Sequence, residues 1–508
     1  MADRPFNVLE VIADQHHADL MGCVGHAQAL TPHFDALAAG GMRFTNAYCQ
    51  NPICTPSRVS ILSGQYCHNH GCYGLSGPAN AALPNFLRHF RAHGYRTAAY
   101  GKLHLPNQPR NWIAGDVDDF GDSYETADGR VGNSRFLEEL ERSGLRDRED
   151  SWLNHSGRYA RCPIPMDARP SDLPYEHTQE AWCVREALRF IDQAPDRPFC
   201  LQIAFQKPHH PLLPQRRFWD LYPADLSLPP TMDVAPAHRP PHFQALWREM
   251  RQRPWEFSQP GEDWRHGARR AWRGTLACIS QIDDRFGVLW RGILQRKLAD
   301  HTMVIYHADH GAYHGIHGLV EKAPGICAQA VCRVPMIWRG PGLARGGQIC
   351  GQLVENIDIA ATLPALCGLP AMDSTDGRDI TSLLRGDNRA VRQMAVTENP
   401  WSRALRWKQW RFVHYQRGMF NGQDIGELYD IESDPNETRN LYHDPAHRAV
   451  VLECRRLLLE WLIETTRVGT VWPTPAYPKL EYPLASDGKE ANTAGAALRL
   501  RHGQLNYL

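Results

Sequence analysis

The chain lacks an excess of either charge: lysine plus arginine and aspartate plus glutamate both number 56 in 508 residues. No global field is available to recruit nucleic acid or an anionic membrane, so any recognition of an anion must be local. No stretch reaches the roughly 18 consecutive apolar residues that a spanning helix needs. The opening residues, Met1-Ala2-Asp3-Arg4-Pro5, run into an apolar segment without the charged leader and small-residue cleavage site of a secretory signal, and a cytoplasmic protein is expected. The 14 cysteines are scattered and none forms a paired Cys-x-x-Cys zinc pattern. Free, mostly structural thiols in a reducing compartment are the simplest expectation. No internal repeat is visible.

What is present is apolar material for a large core, 43 % of the residues, in a chain long enough for two or three units. Residues 7–13 are a short apolar run ending in Asp14-Gln15, which reads as a buried parallel strand, although Glu10 interrupts it. Thr31 and Pro32 are an N-cap and first-turn proline for a helix. Further helices are expected over 83–93, 177–191 and 272–290, and strands over 95–100, 199–205 and 302–307. Such alternation predicts a mainly parallel sheet with right-handed crossovers. Asp14, Lys102, His209 and Asp309 then fall beyond the carboxyl ends of strands, where these sheets bind ligands.

Residues 105–170 and 212–265 are rich in proline and arginine and poor in periodicity, as lids or substrate walls often are. Residues 354–369 read as the last crossover of the large domain. Antiparallel strands around 407–415 and 427–430, with a helix over 447–466, suggest a smaller second unit. The expected division is 1–370, 371–470 and an extended tail, 471–508, that is either disordered or wraps a neighbouring subunit.

Two patterns carry chemistry. Asp309-His310 follows the strand at 302–307, and with Asp14 and Gln15 it offers two carboxylates, an imidazole and an amide oxygen, donors for a hard-to-borderline divalent cation. Cys54-Thr55-Pro56-Ser57-Arg58 opens a helix after an apolar strand. Alone, such a cysteine is ordinarily a small buried apolar residue.

Cys54-Thr55-Pro56-Ser57-Arg58 nonetheless resembles the signature at which sulfatases oxidise one cysteine to formylglycine, whose aldehyde hydrate is an oxygen nucleophile. Gly101-Lys102-Leu103-His104 resembles the Gly-Lys-x-His element of that family, and Lys207-Pro208-His209 its His-x-Pro element. The stretch from Asp309-His310-Gly311 to Lys322, and Glu427-Leu428-Tyr429-Asp430 through Leu441, resemble two others. The motifs follow the family's order over most of the chain, which thus resembles a sulfatase within the alkaline-phosphatase-like group.

The resemblance implies an α/β large domain with a mainly parallel sheet flanked by helices, and a small C-terminal α+β subdomain with an antiparallel sheet. It implies a metal held by Asp14, Asp309, His310 and residue 54, with Gln15 where many members carry a second aspartate. Some members have asparagine where this chain has His310. Calcium is the first expectation and manganese the alternative. Gln15 and His310 also resemble the phosphonate monoester hydrolase branch.

In the roles the resemblance implies, Arg58 orients the gem-diol and Lys102 and Lys322 hold the sulfate oxygens. His209 protonates the leaving group and His104 removes the proton that releases sulfate; a pKa near 6.5 suits histidine to both. Asn69 is a candidate substrate contact. Lys207 reads as a solvated neighbour of the pocket, and His314 and His317 as loop-lining residues. Thr397-Glu398-Asn399 is a candidate approach from the small domain. The 427–441 element carries no identifiable chemistry.

The expected activity is hydrolysis of a small-molecule sulfate monoester, an aryl sulfate or sulfated sugar. A phosphonate monoester or phosphodiester hydrolase using the same site is the alternative. A metal-binding scaffold with unmodified Cys54 is a third reading. Expected partners are a formylglycine-generating enzyme and a second copy of the chain, with neither nucleic acid nor membrane.

Overall fold

The computed structural model describes residues 5–75, 80–106, 111–123, 134–149, 168–194, 196–252, 263–319, 322, 327–344 and 346–467. Eight strands form the central sheet: β1 (Asn7–Asp14), β2 (Met42–Tyr48), β3 (Arg96–Gly101), β4 (Asp119–Asp122), β5 (Phe199–Pro208), β6 (Thr302–Ala308), β7 (Arg333–Arg339) and β8 (Gln348–Glu355). Their order is β4-β3-β5-β1-β6-β7-β2-β8. Every neighbouring pair is parallel except those of β7, which runs against both β6 and β2.

Side-chain alternation along β1 divides the core. Val8 and Ile12 face a layer containing Val59, Phe86 and Ile359, while Leu9, Val11 and Ala13 face Phe34, Trp182 and Phe286. Glu10 is fully buried, which the apolar reading of this strand left unexplained. Its carboxylate accepts a hydrogen bond from Gln202 Nε2 at 2.7 Å and lies 2.9 Å from His307 Nε2, on the two flanking strands. A buried carboxylate is tolerable when its oxygens are so satisfied.

Local choices differ from the expected ones in instructive ways. Thr31 does occupy the N-cap of the Pro32–Ala39 helix, but its hydroxyl accepts from Gly22 N–H and donates to Asp35. The first-turn N–H groups of His33 and Phe34 donate instead to Asp283, at 3.2 and 2.7 Å, from the long Trp264–Gln295 helix. The helix expected from 83 starts at Phe86, where Asn85 caps it through Arg88 N–H. Residues 105–170 contribute β4 and the Arg135–Arg142 helix, and 212–265 the Pro241–Gln252 helix.

The second sheet is antiparallel, β12-β11-β10-β9, with β9 at Met394–Asn399, β10 at Ser402–Trp407, β11 at Trp410–Tyr415 and β12 at Gly426–Asp430. The Arg448–Thr465 helix covers it through Val451, Cys454, Leu457 and Trp461. The tail at 471–508 lies outside the described residues. No helix among the described residues is long and apolar enough to cross a membrane, and every described cysteine is free.

Burial raises the Asp283 carboxyl from 3.8 to about 7, against the pull of the Phe34 and His33 N–H groups. The folded state therefore holds this proton more tightly than the unfolded one, and stability falls as pH rises from 3.8 towards 7. Asp283→Asn should flatten that part of a urea-unfolding series against pH; parallel curves for the two proteins would refute the assignment.

Candidate active site

The site is built where β1 and β6 lie side by side. Asp14 ends β1, and Asp309 stands one residue past β6; both are fully buried. Gln15 follows with φ 70°, a left-handed conformation that non-glycine residues adopt mainly where surrounding structure compels it. Its N–H donates to Asp309 Oδ1 at 3.1 Å, and its carbonyl lies 3.0 Å from His314 Nε2.

The Cys54–Ser63 helix is buried along all ten residues and brings its first turn onto these acids. Arg58 donates through Nε to Asp309 Oδ2 at 2.8 Å and through Nη2 to Asp14 Oδ2 at 3.3 Å, and Nη1 donates to the Lys102 carbonyl. The planar fork thus spans both carboxylates and the end of β3. Gly101 is obligatory there: its φ is 114°, and a Cβ would stand 2.0 Å from the Ala204 carbonyl. Lys102 Nζ lies 2.6 Å from Asp14 Oδ2, and Lys322 Nζ donates to Gln15 Oε1 at 2.8 Å.

Cys54 Sγ lies 3.7 Å from Asp14 Oδ1 and 3.3 Å from His310 Nε2. The other His310 nitrogen, Nδ1, is 2.7 Å from the Gly311 carbonyl, so it carries the proton and leaves the Nε2 lone pair facing the acids. Burial lowers the His310 pKa to about 4, which keeps the ring in its ligating form. Asp14, Cys54, Asp309 and His310 each offer an atom within 4.8 Å of the others. Two carboxylates and a lone pair converging in a buried space are the donor set of a divalent cation, and these residues fit one.

Burial would raise the Asp14 pKa, yet Lys102, Arg58 and Lys322 outweigh it and hold the group well below 3.8. Burial and Asp14 push the Cys54 thiol up. Burial and Lys102 keep both His104 and His209 well below 6.5, so both are neutral in the free protein rather than poised near that value. His209 Nδ1 is 2.7 Å from the His210 carbonyl, which leaves Nε2 as its reactive nitrogen.

Three expectations meet a different geometry. Lys207 is not solvated: it is buried and lies 3.3 Å from Glu180, which Gln281 also holds. Asn69 spends its amide on Asp376, on the Thr465 carbonyl and on Arg467 N–H, and no described hydrogen bond joins it to the site. Glu398 is fully buried against His68, Tyr73 and Arg403, while its N–H and the Thr397 hydroxyl bond the Gln50 and Cys49 carbonyls just before Cys54.

Sequence reasoning missed two supports of the acid pair. Ser57 donates to the Asp309 carbonyl at 2.6 Å, and Asn356 to the Ala308 carbonyl at 3.0 Å. Ser57 lies inside the Cys54–Arg58 motif and could have been flagged. Asn356 has no local signal, since a chain reversal of some fifty residues brings it there.

Known proteins resemble this chain over most of its length. A family model described as Sulfatase matches residues 6–369, and one described as N-sulphoglucosamine sulphohydrolase, C-terminal, matches 315–463. The chain belongs to the sulfatase family. Among relatives, the choline-sulfatase of Rhizobium meliloti (strain 1021) is 27 % identical over 454 residues, covering 86 % of this chain and 83 % of its own. The arylsulfatase of Clostridium perfringens (strain 13 / Type A) is 25 % identical, covering 90 % and 94 %. The phosphonate monoester hydrolase structure from Silicibacter pomeroyi superposes with a TM-score of 0.76 at 21 % identity, over 91 % of this chain and 96 % of that one.

Asp309→Asn should weaken Ca²⁺ or Mn²⁺ binding, read by calorimetry on chelator-treated protein, by more than the roughly 10- to 100-fold typical of losing an outer partner. Equal affinity in both proteins would place the cation elsewhere.

Proposed function

We propose that this enzyme hydrolyses sulfate monoesters with a formylglycine made from Cys54 and a divalent cation held by Asp14, Asp309, His310 and Gln15. The observation that carries the reading is the placement of Cys54 Sγ beside Asp14 and His310, at the N-terminus of a buried helix. Three cations, Arg58, Lys102 and Lys322, surround two carboxylates there, so the site favours a bound anion before any metal is counted.

Hydrated formylglycine supplies the oxygen nucleophile, and a cation with oxygen and imidazole ligands supplies positive charge at the transferred group. Lys102 and Lys322 hold the ester's anionic oxygens in line for attack. Arg58 fixes the two acids and the turn that presents residue 54, a broader task than orienting a diol. His104, neutral as found, accepts the proton that releases sulfate. His209 carries a proton to the leaving oxygen once the substrate's negative charge offsets Lys102 beside it.

Residues 1–370 form the catalytic unit in this reading and 371–470 the supporting one. The tail from 471 joins two copies, and a formylglycine-generating enzyme matures the chain. Calcium is favoured by the two carboxylates and manganese by the imidazole of His310. The second reading, phosphonate monoester hydrolysis, draws on Gln15 and His310 and on the fold shared with a phosphonate monoester hydrolase. Lys102 and His104 favour sulfate.

Mass spectrometry of the peptide containing Cys54 should show replacement of the CH₂–SH group by an aldehyde or its hydrate. Cys54→Ala should abolish multiple turnover while leaving cation binding in place; retained turnover would refute the mechanism. Turnover of p-nitrophenyl sulfate should exceed that of a phenyl phosphonate monoester, and the reverse order would select the second reading.

A further inference from the structure

His314, read from the sequence only as lining a loop, is engaged at both ring nitrogens. Its Nε2 lies 3.0 Å from the Gln15 carbonyl, and its Nδ1 lies 3.3 Å from Thr275 Oγ1 on the Trp264–Gln295 helix. A carbonyl oxygen can only accept, so Nε2 carries a proton and donates it there, while Nδ1 faces the hydroxyl. His314 and Thr275 are both buried.

The backbone beneath the ring is fixed as well. Gly311 N–H donates to the Val331 carbonyl at 2.9 Å, Ile316 N–H to the Tyr313 carbonyl at 2.8 Å, and Gly315 N–H to the Leu319 carbonyl at 2.7 Å. The helix that carries Thr275 is anchored in turn. Its Ser280 donates to the Leu30 carbonyl at 2.8 Å and its Gln281 to Glu180 at 3.0 Å. His314 therefore brings the fixed position of these elements to the Gln15 carbonyl.

Gln15 needs such a tie. Its φ of 70° and the 46° of His314 are both left-handed, a conformation that residues other than glycine keep only under constraint. Gln15 N–H donates to Asp309 Oδ1 at 3.1 Å, which fixes the peptide plane before its Cα. His314 fixes the plane after it. With both planes set, so is the direction of the Cα–Cβ bond. The side chain that grows from it ends at Oε1, which accepts from Lys322 Nζ at 2.8 Å. A ligand held in place beforehand gives up less rotamer freedom when a cation arrives.

We propose that His314 is a positioning residue for Gln15: its Nε2–H clamps the left-handed turn at the end of β1 and so presents the Gln15 amide oxygen to the cation. The proposal rests on the reading of Gln15 as a cation ligand. Through Thr275 it gives the long helix a part in cation binding.

Calorimetric titration of the chelator-treated full chain tests it, using Ca²⁺ or Mn²⁺, whichever binds more tightly, with the thermal midpoint of the cation-free protein measured alongside. Gln15→Ala should weaken cation binding roughly tenfold or more, and His314→Leu several-fold. The two together should bind no more weakly than Gln15→Ala alone. His314→Gln, whose side-chain N–H reaches for the same carbonyl, should recover most of the lost affinity. Multiplicative losses in the double variant, no recovery in His314→Gln, or unchanged affinity in His314→Leu, whatever its midpoint, would overturn the proposal and leave Gln15 a ligand. An inert Gln15→Ala would remove the reading of Gln15 itself and the proposal with it. Should His314→Leu fail to fold, Thr275→Val, which removes the hydroxyl facing Nδ1, takes its place in the cycle and is judged by the same outcomes.

Discussion

Two carboxylates forced together at the ends of neighbouring strands repel each other, and Arg58 is what makes their company stable. Its guanidinium touches both acids and the backbone of a third strand. The rest of the site follows from that contact. Because Arg58 lies one turn along the Cys54 helix, satisfying the acids also fixes where residue 54 stands. Because Arg58 engages one oxygen of each acid, the other two, Asp14 Oδ1 and Asp309 Oδ1, stand 3.9 and 3.8 Å from His310 Nε2. Lys102 completes the arrangement by neutralising Asp14 from the end of β3.

Much of this was legible in the primary structure. Strand ends carrying Asp14 and Asp309 could be placed from apolar runs alone, because a parallel sheet delivers chemistry at one edge. Short motifs then supplied Cys54, Arg58, Lys102, His209 and Lys322. What stayed hidden depends on long-range pairing. Glu10 looked like a flaw in a buried strand until His307 and Gln202 appeared beside it. Lys207 looked solvated because nothing local announces Glu180. Asn69 sat near the right helix, but its amide faces the C-terminal helix instead. Thr31 had the right residue type for a cap, and the N–H groups it was expected to serve went to Asp283.

The antiparallel sheet is more than a cover. Thr397 and Glu398 of β9 bond the backbone at Cys49 and Gln50, directly upstream of Cys54. Glu427 and Glu437 meet Arg239 of the 212–265 insertion, and Glu437 accepts from Gln329 N–H. Arg392 ties Glu355 of β8 and Asp358 to the chain entering β9. The two sheets thus share contacts with the chain that leads into the Cys54 helix.

Cys54 is 1 % exposed and lies on a helix whose ten residues are all buried. Under the formylglycine reading, a second protein could grip that stretch only before the helix packs, because the folded chain leaves nothing there to hold. Folding and maturation would then compete in time, and a molecule that packed first would keep its thiol.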